Sequence, residues 1–140
     1  MNRSNVNVGL VFATMLVLGA GCATTVALQA SSRTPAAAGS VKISKDGQGN
    51  VKLDVSVDYL PNPFELDRSL TTFVVWSIAD DGSRVRNMGQ LQIDSRRHGS
   101  VNLLTPLSNF KLLITAEESG TVEKPSPYVI LRGNIDLPKS

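Results

Sequence analysis

The nine residues "VKLDVSVDY" alternate without a break, with Val51, Leu53, Val55, Val57 and Tyr59 on one side and Lys52, Asp54, Ser56 and Asp58 on the other. A helix would scatter those valines around its circumference, whereas a pleated strand sends successive side chains to opposite faces. The valines also favour an extended chain, because branching at Cβ restricts χ1 on a helix. One apolar face and one charged face describe an antiparallel strand that covers a core on one side only.

The rest of the chain after Val41 follows the same grammar. "KDGQGN" reads as a hairpin turn back to a short strand at "SVKIS". "YLPNPFELDRS" is a connection, since Pro61 and Pro63 have no N–H for a ladder. "LTTFVVWSIA" (70–79) is apolar on both faces, which predicts a central strand with Trp76 packed between sheets. "DDGS" turns the chain into "RVRNMGQLQID", where Gly89 predicts a bulge or a close backbone approach. "SRRHG" leads into "SVNLLT", and "FKLLITAE" follows with Phe110, Leu112, Ile114 and Ala116 on one face. After the loop "ESGTVEKPSP" comes "YVILRGNIDL". Seven such strands over about a hundred residues predict an all-β fold, a seven-stranded antiparallel sandwich of immunoglobulin or fibronectin type, over residues 41–138.

Charge excludes one partner class. Apart from Arg3, the only charged side chain before Cys22, 13 basic residues face 12 acidic ones, so no excess of positive charge is left to neutralise nucleic-acid phosphates.

The catalytic inventory is thin. His98 is the sole histidine, and it lies in a turn beside Arg96 and Arg97, whose charge is expected to lower its basicity. Nothing in the sequence supplies an orienting carboxylate that would let it activate Ser100. Zinc draws on Cys and His, and Cys22 and His98 are one of each, so no metal site is expected. "DGQGN" (46–50) opens like a calcium loop but lacks the following acidic residues and the distal Glu. Asp80 with Asp81, and Glu117 with Glu118, are the paired carboxylates; both pairs read as solvated or sheet-edge charge. No catalytic residue and no cofactor is expected.

The N-terminal 22 residues have a separate logic. Arg3 precedes an 11-residue run from Val8 to Leu18 broken by Gly9 and Thr14, and Gly19, Ala20 and Gly21 then lead to Cys22. That is the layout of a secretory signal peptide over residues 1–21, and the run is too short to span a bilayer as a helix. Small residues ending at a cysteine resemble the lipobox of bacterial lipoproteins, with Leu18 one residue earlier than that family's usual leucine and Gly19 in its place. The resemblance implies acylation of Cys22, cleavage before it and anchoring of the mature chain in a membrane. Ala23 in place of the aspartate that favours inner-membrane retention implies the outer membrane, where the cell has one. Residues 22–40, small and Ala/Ser/Thr-rich, read as the lipidated cysteine and a flexible tether.

A second resemblance lies in the folded part. Phe73, Trp76, Asp81, Gly82, Gly89 and Leu91 are followed by Phe110, Thr115, Glu117, Gly120, Pro125, Val129 or Ile130, and Gly133. Together these resemble the extracytoplasmic domain of anti-sigma-K-type factors over residues 70–133. The family's cytoplasmic sigma-binding segment and transmembrane helix have no counterpart in these 140 residues, so the resemblance implies a shared sandwich rather than shared sigma-factor inhibition. The expected function is a non-enzymatic envelope lipoprotein, held to the membrane through Cys22, whose domain binds an envelope protein as an accessory or sensory module. The alternatives are a structural spacer and an enzyme using Asp80, Asp81, Glu117 and Glu118, which would require those carboxylates to converge.

Overall fold

A computed structural model describes residues 23–137; residues 1–21, expected as a signal peptide, and Cys22 lie outside the described residues. Among the described residues the fold is all-β, with eight antiparallel strands in one nearly closed sheet and one four-residue helix. The strands are β1 (Thr24–Ala30), β2 (Ala38–Lys45), β3 (Val51–Asp58), β4 (Thr72–Ile78), β5 (Val85–Leu91), β6 (Gly99–Thr105), β7 (Asn109–Glu117) and β8 (Val129–Asp136). Helix α1 (Pro63–Leu66) sits in the connection between β3 and β4. The lateral order is β5-β4-β7-β8-β1-β2-β3-β6, and an isolated bridge between Ile93 and Gly99 brings the two end strands together.

The alternation of β3 works as its sequence requires: Val51, Leu53, Val55 and Val57 are buried. They meet Val41 and Ile43 of β2, Phe73 and Val75 of β4, and Phe110, Leu112 and Ile114 of β7 in one interior cluster. Gly89 adopts φ 145, and the β4–β5 register shifts beside it, between Val75 and Trp76, which is the expected bulge.

Two expectations are corrected. Residues 24–30 are not tether but strand β1, which raises the strand count from seven to eight. Val26 and Leu28 supply a two-residue period that their small neighbours mask, and pairing first with β2 and then with β8 holds the segment in the sheet. The chain that follows is also fixed: the Ser31 N–H and the Thr34 hydroxyl both donate to the Ile130 carbonyl, at 3.0 and 3.2 Å.

Trp76 is fully buried, but it lies outside the interior cluster. Phe73 and Val75 point inward, so Val74 and Trp76 face the other way. That outer face is covered by the β7–β8 connection. Its attachments are Asn87 Nδ2, which donates to the carbonyls of Gly120 and Val122, and Glu117, which accepts from the Ser126 N–H at 2.6 Å.

β1 pairs with β2 through Thr24–Leu28 and with β8 through Gln29 and Ala30. Leu28 fills the corner so formed. A Cβ on Gly133 would stand 2.6 Å from a Leu28 methyl, and one on Gly39 would stand 3.2 Å from the other. Leu28→Ala should therefore cost about 2–4 kcal/mol of unfolding free energy by urea denaturation, because the flanking strands cannot close onto the void.

Candidate functional site

The structure separates the residues that catalysis would have to unite. Asp80 and Asp81 lie in the β4–β5 turn, whereas Glu117 pairs with Thr72 at the opposite end of β4. Seven strand positions at about 3.3 Å each leave the two pairs about 20 Å apart. Asp81 accepts from the backbone and hydroxyl of Ser83, and the Ser83 hydroxyl holds its carboxyl below the usual range. Glu118 is exposed, but Glu117 is buried, contrary to the solvated reading of the pair. Its Oε1 accepts from the Thr115 hydroxyl, which in turn accepts from the Trp76 indole N–H at 2.8 Å. Trp76, Thr115, Glu117 and Gly120 thus fasten a loop to a sheet.

Asp46 closes the β2–β3 turn by accepting from the N–H groups of Gln48 and Asn50 and from the Asn50 side chain. Among the described residues no group of three or more His, Cys, Asp or Glu side chains is arranged to hold a metal ion. None of their helices is long and apolar enough to cross a membrane.

His98 is the sequence-selected residue with the most changed surroundings. Its Nδ1–H donates to Asp58 Oδ1 at 2.7 Å, and both side chains are about half exposed. This hydrogen bond, reinforced by the charges of Asp58 and Asp94, raises the imidazole pKa and overturns the lowering expected from Arg96 and Arg97. Arg97 itself is engaged elsewhere, in a two-pronged ion pair with Glu65 at 2.8 and 2.9 Å. Ser100 heads outward on β6, paired across the ladder with Ser56.

These two ion pairs bracket an unusual piece of backbone. Tyr59 and Arg97 adopt φ 60 and φ 62, the left-handed region that costs a non-glycine residue about 1–2 kcal/mol. Asp58 immediately precedes one strained residue and His98 immediately follows the other. The Leu60 N–H donates to the Arg97 carbonyl at 3.4 Å, so the two left-handed residues meet directly across the loops.

The result is an open groove of about 320 Å³ at this end of the sheet, with Arg33, Pro35, Tyr59, Pro61, Leu66 and Arg97 in its walls. The strain turns the Tyr59 ring outward, 67% exposed, in spite of the inward position that the alternation of β3 predicts for it. Phe64 on α1, 59% exposed, stands beside a second depression with Thr71, Leu91 and Ile93. On the far side of the groove, the Arg33 guanidinium lies 5.2 Å from the centre of the Tyr128 ring. The Tyr128 hydroxyl donates to Asp67 Oδ2 at 3.1 Å. Asp67 also accepts from the N–H and hydroxyl of Ser69, bonds that lower its pKa.

Tyr59, Phe64, Glu65 and Arg97 are not singled out by the sequence. The available signal was two aromatics in a proline-marked connection; the Glu65–Arg97 pair spans 32 positions and carries no local signature.

Two outcomes follow from this geometry. Tyr59→Gly should be at least as stable as the parent, by up to about 1 kcal/mol in urea, because glycine relieves the left-handed strain and the exposed ring buries little. The His98 ring, followed by NMR, should titrate above 6.5, and Asp58→Asn should bring the midpoint back toward that value. A raised folded-state pKa means that the pair's contribution to stability is present in full below about pH 6.5. It is lost as pH rises through the folded midpoint.

No protein-family model and no curated protein matches this chain.

Proposed function

We propose that the protein is a lipid-anchored component of the bacterial cell envelope whose β domain binds another protein through the surface around Tyr59 and Phe64. The observation that carries this reading is the Tyr59 backbone. A bulky residue kept at φ 60 with its ring in solvent costs stability, and such strain persists where it serves binding. Two of the large apolar side chains exposed among the described residues stand within this one connection, next to an arginine stacked on a tyrosine. Aromatic and arginine side chains are the types enriched at the energetic centres of protein interfaces.

Envelope placement rests on the signal-peptide layout and on Cys22, and the non-enzymatic reading on the separation of the carboxylate pairs. A two-sheet sandwich of immunoglobulin or fibronectin type is the finer reading of the fold. In its favour, β1 meets β8 over two residues only, and the chain just beyond β5 meets β6 at the single Ile93–Gly99 bridge, so the sheet divides naturally into two faces. The likeness to anti-sigma-K-type extracytoplasmic domains belongs to this same proposal and concerns architecture.

The test is photo-crosslinking in intact cells from position 64 on α1, with position 104 as control, since Leu104 is similarly exposed but lies on β6. A defined adduct from 64, absent from 104 and lost in Tyr59→Ser, is expected. No adduct from 64 under any growth condition would favour the spacer reading. In the same cells the wild type should incorporate radiolabelled palmitate and Cys22→Ala should not.

A further inference from the structure

We propose that, in the lipid-anchored protein, the β2–β3 hairpin tip Asp46–Asn50 lies at the lipid headgroups, and the Tyr59–Phe64 surface points away from the membrane. This rests on the reading of Cys22 as the acylated residue.

The argument is one of reach. Were residues 23–40 a flexible chain, those 18 residues would place the domain a root-mean-square distance of about 25 Å from its anchor, free to turn any face to the bilayer. They are instead hydrogen-bonded from Thr24 onward, with Thr24 opposite Ile43. Cys22 precedes Thr24 by two residues, so the acylated position stands at most about 7 Å from the start of β1.

The hairpin fills that distance. Beyond Ile43, β2 continues through Ser44 and Lys45, which pairs with Val51, before the turn at Asp46–Asn50. Two residues of strand and the turn carry the tip about 10 Å past the level of Thr24, at least as far as the anchor can reach. The interfacial layer on each side of a bilayer is itself about 5–7 Å thick, so the tip enters it.

The chemistry of the tip suits that layer and not the acyl chains. Its carboxylate and amides are bonded to one another, and exposed Lys45 and Lys52 flank it. Leu104, 64% exposed, sits opposite Lys52 on β6 and offers an apolar contact beside those ammonium groups. Asp80, Asp81 and Asp136 occupy the same end of the sheet, so attraction to anionic lipid is modest and the short covalent link does the orienting. The Tyr59–Phe64 surface lies at the other end of β3, a strand length of about 25 Å away.

The experiment uses the full-length protein purified from membranes and reconstituted in phosphatidylethanolamine–phosphatidylglycerol vesicles. A fluorophore is attached at Gln48→Cys or, separately, at Phe64→Cys, and quenched by lipids carrying a headgroup nitroxide. Quenching several-fold stronger at 48 than at 64 is expected. Equal quenching at the two sites, or stronger quenching at 64, in protein whose mass carries the acyl groups overturns the orientation alone. Protein lacking the acyl mass, with a second reactive thiol at Cys22, overturns the lipoprotein reading and the orientation with it.

Discussion

The structure depends on a strand that belongs to two ladders. β1 gives its first five residues to β2 and its last two to β8. Without it the lateral order falls into β5-β4-β7-β8 and β2-β3-β6, two runs still linked by the Ile93–Gly99 bridge but with inner edges that would expose unpaired backbone groups. Sharing one strand between them requires the chain to turn a corner in mid-strand. Leu28 occupies that corner, and Gly39 and Gly133 leave the space it fills. A Cβ at Gly133 would displace a Leu28 methyl 2.6 Å away, and one at Gly39 would stand 2.8 Å from a Leu131 methyl and 3.2 Å from a Leu28 methyl, so both glycines keep this corner open.

The two ends of the sheet differ because their connections do different work. At one end, β2–β3 and β4–β5 are hairpins between neighbours, and an aspartate accepting local N–H groups suffices to close each turn. At the other end, β3 must reach β4, which is not its neighbour, and β7 reaches β8 only after a loop that covers Trp76. Long connections cannot satisfy themselves with one short turn. The β3–β4 connection is instead tied by two ion pairs, Asp58–His98 and Glu65–Arg97, to the short Asp94–His98 turn between β5 and β6, and of the left-handed residues Tyr59 lies in the connection and Arg97 in the turn. Exposed aromatics and charge-paired strain therefore collect where the β3–β4 connection meets the β5–β6 turn.

What the sequence made legible follows from the range of each interaction. Strands β2–β8 could be read because alternation and turn residues act over two to six positions, and Gly89 announced its bulge in the same way. β1 was obscured because Val26 and Leu28 are flanked by small residues, and its stability comes from partners up to a hundred positions away. Trp76 was assigned to the wrong face because an apolar strand interior reads alike whether its second face meets a sheet or a loop. The behaviour of His98 was misread because its neighbours in sequence are arginines, whereas its neighbour in space is Asp58, 40 positions earlier.

The framework residues Trp76, Thr115 and Glu117 are mechanically joined to the groove, although none of them lies in the groove itself. Glu117 holds the Ser126 N–H, the Ser126 hydroxyl donates to the Ala116 carbonyl, and the Tyr128 N–H donates to that same hydroxyl. Tyr128 then carries Arg33 over its ring and holds Asp67 through its hydroxyl. A buried network of Trp76, Thr115 and Glu117 thus sets the position of the loop, and the loop sets one wall of the groove. Sequences sharing those framework residues could present quite different groove surfaces, since Tyr59, Phe64 and Arg97 stand on other loops. The framework therefore fixes the architecture, and the chemistry of the groove surface is set by the residues outside it.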